Sequence, residues 1–164
     1  MSDYFFPKLK SVEAISAYRL RTAWSTGEVL EVDVEDVLRS VPAFAPILDP
    51  KEFGRVHVGE WGNSIEWFEE ELGADNVYAW AKEQSGEVSH QMFDEWMHRN
   101  ELSLATAAEA LGISRRMVSY YRTAHKAIPR AIWLACLGWE ATRPLPRTLP
   151  PSLPTARQYA ALHA

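Results

Sequence analysis

The stretch "AAEALGISRRMVSYYR", residues 107–122, holds two helical patterns broken by one glycine, and the second carries three arginines and two tyrosines. Two short helices that cross closely need a small residue at the approach, and Ala108 supplies it. The turn needs a residue tolerant of positive φ, and Gly112 supplies that. Apolar Ala107, Leu111, Ile113, Val118 and Tyr121 fall where an inner face requires them. Ser103 and Ser114 each precede a helical run, where a hydroxyl caps free backbone N–H groups. The reading is helix, tight turn, helix.

Placing the second helix at about 100° per residue with Val118 inward turns Arg116, Ser119, Tyr120 and Thr123 away from the core. Arg115 and Arg122 lie on one flank. From Ser114 to Arg130 there are five basic residues and no acid. A polar, aromatic and cationic helix face of this kind fits the major groove of duplex DNA, where arginine pairs bidentately with guanine. Arg115, Arg116, Ser119 and Tyr120 are the candidates for base contacts. Ser103, Arg122, Thr123, Lys126 and Arg130 are the candidates for phosphate contacts, which position a protein without reading sequence.

The surrounding chain is acidic. The net charge is −5, but residues 1–86 hold 8 Lys/Arg against 16 Asp/Glu, while residues 87–164 hold 9 against 6. Local charge at a docking face decides affinity for a polyanion, so the overall sign does not exclude one. The single cysteine, Cys136, lies in the apolar run "AIWLACLGW" and is expected as a buried thiol. No apolar run approaches the ~20 residues of a membrane span, and the start "MSDYFFPKLK" lacks a cleavage signal; a cytoplasmic home is expected.

Ahead of the helical region the period changes. In "VEAISAYRLRTAW", Val12, Ala14, Tyr18, Leu20 and Trp24 share parity against Glu13, Arg19 and Arg21. After "STG", "EVLEVDV" alternates again, so the two runs read as one hairpin. "VEDVLRSV" reads as a short helix burying Val37, Leu38 and Val41, and the prolines of "VPAFAPILDPKEF" as turns or a broken helix. "RVHV", "GEWGN" and "SIEW" suggest a second hairpin. The expected class is α+β: a small domain with an antiparallel sheet and short helices over 1–81, a linker at 82–87, and an all-α domain of four to five helices over 88–140. In that second domain Phe93, Trp96 and Met97 form one stripe, and Pro129 opens a last helix. Residues 141–164 form a proline-rich arm, since five prolines between Pro144 and Pro154 block regular helix.

The Phe93, Trp96 and Met97 stripe, "LATAAEALGISRRMVSYYR" and "AIPR" resemble the lambda-repressor-like (XRE-type) helix-turn-helix family over residues 89–140. Ala124 departs from that pattern, standing where many relatives have glycine, and the second helix lacks an initial glutamine. "AYRLRTAWSTGEVLEVDV", "FAPILDPKEFGRVHVGEWGNSIEW" and "LGADNVYAWA" resemble a small bacterial α+β domain of unknown function, found alone or fused to such a helix-turn-helix. The resemblance implies a bacterial transcriptional regulator that binds double-stranded DNA, and the small contact area of one helix-turn-helix, with the proline-rich arm, leads us to expect a homodimer on a palindromic operator. It also allows an antitoxin-like or adaptor protein whose acidic first domain docks a protein partner.

Enzyme readings find little support. Glu69, Glu70 and Glu71 are consecutive and cannot share a helix face, so they read as a solvated acidic edge. The histidines (57, 90, 98, 125 and 163) have no metal-ligand spacing, and there is no Gly-rich phosphate loop. Trp61 sits on a loop tip, open to a partner or folded over the sheet. No enzyme activity, cofactor or metal is expected.

Overall fold

The computed structural model describes residues 6–143 and 156–162. The alternating first half forms two antiparallel three-stranded sheets. The first is a meander of β1 (Leu9–Ser16), β2 (Arg19–Trp24) and β3 (Val29–Asp33). Its inner face buries Leu20, Trp24 and Val32. Thr22 is buried beside them because its hydroxyl donates to the Leu30 carbonyl (3.0 Å) and accepts from the Trp24 indole N–H (2.8 Å). The outer face carries a charge ladder, with Arg21 between Glu13 (2.8 Å) and Glu31 (3.5 Å), and Arg19 on Glu31 (3.2 Å).

The expected single hairpin is corrected here: the run from Val12 to Trp24 is itself folded at Ala17–Tyr18. Tyr18 holds the left-handed conformation (φ 61°), which no local residue favours. Distant partners hold it there, since its hydroxyl donates to the Leu48 carbonyl (2.6 Å) and its ring meets Phe53 edge-on at 5.5 Å.

Helix α1 (Glu35–Ser40) follows, then a 3-10 stretch over Pro42–Leu48 and the single turn α2 (Pro50–Phe53). Leu38 is buried as expected, but Val37 is only half-buried and Val41 is exposed, because Phe44 and Ile47 of the 3-10 stretch take that part of the core. The second sheet joins β4 (His57–Val58), β5 (Ser64–Glu66) and β6 (Glu71–Gly73). Helix α3 (Ala74–Gln84) lies against β3 and the second sheet, burying Val77, Tyr78 and Ala81. The polar stretch 82–87 therefore begins inside a helix. Gln84 closes the free end of β3, donating to the Asp33 carbonyl (2.9 Å) and accepting its N–H (2.7 Å).

The helical region comprises α4 (His90–Arg99), α5 (Leu104–Leu111), α6 (Arg115–Arg122) and α7 (Arg130–Thr142). Phe93, Trp96 and Met97 meet Ala107, Val118, Tyr121 and Cys136 in one core. The Trp96 indole donates to the Cys136 carbonyl (3.0 Å), pinning α7 to α4. The chain is thus an α+β protein with its helical part second. The proline-rich segment 144–155 lies outside the described residues, and α8 (Ala156–Leu162) follows it. Among the described residues no helix is long and apolar enough to cross a membrane.

Direct contacts hold the two parts together. Ser89 donates to Glu83 (2.6 Å), Gln91 donates to Asn76 (2.6 Å), and His90 is buried between Phe6 (ring centroids 5.1 Å apart) and Tyr78 (6.3 Å). Burial lowers the pKa of His90, against the opposing pull of Asp75 on α3 and Asp94 on α4. The unfolded chain therefore takes up this proton more readily than the folded one. Stability is full above about pH 6.5 and falls as the pH drops through the lower folded value. The His90→Gln variant should show a flatter acid side in urea melts run across that range. Two glycine substitutions test the turns. Gly112→Ala should cost about 1 kcal/mol, because φ is 68° but a Cβ meets open space. Gly62→Ala should cost ~3 kcal/mol or more in the same melts, because φ is 70° and a Cβ would lie 2.5 Å from the Leu9 carbonyl oxygen.

Candidate nucleic-acid interface

Each end of α6 is fixed by a local device. Gly112 ends α5 in the left-handed conformation, and the Ser114 hydroxyl accepts the Met117 N–H (3.1 Å) to start α6. At the far end Ala124 also takes positive φ (58°), the conformation glycine would adopt without strain. It packs at the edge of the first domain's core, and the Tyr120 carbonyl accepts the N–H groups of His125 (2.9 Å) and Lys126 (3.3 Å) just beyond it. Val118 and Tyr121 anchor the helix inward.

Its outward face carries an ordered ridge. Arg115 and Arg116 are exposed. The Arg116 Nε donates to the Tyr120 hydroxyl (2.7 Å), with the guanidinium carbon 5.6 Å from that ring's centre. The Tyr120 ring in turn lies on His125, centroids 4.4 Å apart. Sequence reasoning missed His125, because its place on the ridge depends on the left-handed turn at Ala124. Ser119 is half-buried, and its carbonyl accepts the Thr123 hydroxyl (3.0 Å).

The phosphate candidates divide. Arg122 is held by Asp94 of α4 (Nε to Oδ1, 2.7 Å), a partner that no spacing in the sequence reveals. Both side chains remain about half exposed, so the pair is weak. Ser103 caps α5, accepting the Thr106 N–H (3.1 Å). Lys126 and Arg130 are exposed at a cleft between the two domains, shared with Tyr78 and Lys82 of α3. Ser119, Arg122 and Thr123 line a smaller hollow with Asp75, His90 and Asp94. The structure thus gathers Arg116, Tyr120 and His125 along one edge, leaves Arg115 exposed, and sets Lys126 and Arg130 at the cleft. On the acidic domain Trp61 projects from its loop tip, 80% exposed, and Phe68 is 93% exposed.

Residues 9–83 match a family described as a protein of unknown function, DUF2442. No curated protein matches the chain. Among solved structures it is similar to one described as "Putative DNA Binding Protein NE0471" from Nitrosomonas europaea ATCC 19718. The two share 74% sequence identity and a TM-score of 0.83 over 94% of this chain and 100% of that one. The chain belongs to the family of this Nitrosomonas europaea protein, with a DUF2442 domain in its first half and a set of packed helices behind it.

Proposed function

We propose that the protein is a sequence-specific DNA-binding regulator without enzymatic activity, whose α6 enters the major groove in the manner of lambda-repressor-like domains. The braced pair of Arg116 and Tyr120, with Arg115 exposed next to it in sequence, carries this reading. Both arginines are exposed, and Arg116 is braced by an aromatic side chain rather than neutralised by an acid. A braced guanidinium loses less freedom on meeting guanine, so its contact is worth more. The description of NE0471 supports the same reading. A single eight-residue helix reaches few base pairs, so useful specificity calls for a homodimer on a palindromic operator, its half-sites about one helical turn apart.

A second reading, a docking module for a basic protein partner, draws support from Trp61 and Phe68 on the acidic domain. Pull-down from a lysate with the Trp61→Ser/Phe68→Ser variant beside the unaltered chain separates the two, because DNA binding should survive those changes.

Selection from a random duplex pool should enrich a palindrome; failure to enrich any sequence would count against the regulator reading. On the selected duplex, Arg116→Ala should lose ~1–3 kcal/mol and relax the preference at one position per half-site. Arg122→Ala should weaken all duplexes alike in fluorescence titrations and lower the salt slope by about 1. Asp94→Asn should do the opposite, raising affinity for every sequence by releasing Arg122, while costing less than about 1 kcal/mol of stability.

A further inference from the structure

The cleft between the end of α3 and the α6–α7 corner has a volume of about 620 Å³, the size of a small-molecule site, and lies where two domains meet. Most of its wall is apolar: Met92, Tyr121, Trp133, Leu134 and Leu137. Three cations reach it, and they are not equivalent. Lys82 is nearly buried and committed, donating to Glu28 and to Glu87 (3.2 Å), while Glu28 also accepts the Tyr78 hydroxyl (2.6 Å). Lys126 and Arg130 make no side-chain hydrogen bond or ion pair among the described residues. His90 is 5% exposed and borders both this cleft and the smaller hollow beside Asp94, and its buried Nδ1 has no hydrogen-bond partner among the described residues. The one carboxylate on the lining, Glu87, is paired with Lys82, so an apolar hollow with two further cations matches a compound that is aromatic at one end and anionic at the other.

We propose that this cleft binds a small organic anion with an aromatic body, its acidic group held by Lys126 and Arg130, and that occupancy lowers the affinity for duplex DNA. The second half rests on the regulator reading above; the first does not. Residues 143–164 are a poor match for these cations, because they contain three arginines and no acidic side chain. The route to α6 is short. Tyr121 of α6 and Ala124 of its exit turn line the cleft, and the Tyr120 carbonyl holds the Lys126 N–H. A ligand drawing on Lys126 therefore pulls the turn that keeps His125 against Tyr120, and Tyr120 braces Arg116.

The full chain should be titrated with anilinonaphthalene sulfonate, which is aromatic and anionic, and with its uncharged twin phenylnaphthylamine. The sulfonate should bind saturably, and the Lys126→Ser/Arg130→Ser variant should weaken it about tenfold while leaving the uncharged twin unchanged. Leu137→Glu, a change at an exposed position that should not disturb folding, should weaken both probes and the sulfonate more strongly, because it adds like-charge repulsion to the lost apolar contact. Equal sulfonate binding by all three proteins, checked as folded by circular dichroism, would overturn the site. The regulatory half is read on the selected duplex, where saturating sulfonate should weaken DNA binding by the unaltered chain and leave Leu137→Glu indifferent. Selective sulfonate binding with no effect on duplex affinity overturns the regulatory half and supports the site. A chain that binds no duplex at all shows instead that the DNA reading has failed.

Discussion

An eight-residue helix has little stability of its own in water, so α6 exists because its surroundings impose it. Ser114 starts it, Val118 and Tyr121 tie it to the core, and left-handed residues at Gly112 and Ala124 turn the chain sharply on either side. That bracket has two consequences. The helix can give its whole outward face to polar and cationic groups, since none of those is needed for folding. The exit turn is also strained at a non-glycine residue, so the state of α6 is linked to whatever packs against Ala124. Here that neighbour is the first domain.

Charge follows from the same arrangement. The acidic half does not cancel the arginines of α6 wholesale: Asp94, which holds Arg122, belongs to the helical half, and Asp75 lines the adjoining hollow without an ion pair to Arg122. Arg115 and Arg116 form no ion pair with an acid among the described residues, and the seam with Phe6 and Thr26 is lined from this part of the chain by Ala124 and His125, beyond the end of α6. An acidic protein can therefore present a cationic edge. The DUF2442 domain contributes a wall to the inter-domain cleft rather than a second cationic surface.

The helical half was the more legible part of the sequence. Its signals are local: the Phe93, Trp96 and Met97 stripe, the serines at two helix starts and Gly112 between them each act over one or two turns. Strand alternation showed equally well in β2 and β3. The break at Ala17–Tyr18 did not show, because tyrosine is a poor signal for a left-handed turn and its partners Leu48 and Phe53 lie thirty or more residues away. Val41 misled for a related reason: helical spacing pointed inward, but Phe44 and Ile47 had filled that space.

Sequence alone determined the periods, the caps and the exposure of Arg115 and Arg116, since these depend on residue type and on the geometry of one helix, whereas Ser119 is half-buried at the hollow beside Asp94. Tertiary structure alone decided which cations are committed. Arg122 meets Asp94, Lys82 meets Glu28, and Lys126 and Arg130 meet no acid among the described residues. Charge pairing acts over a few ångströms between side chains far apart in the chain, so no local pattern encodes it.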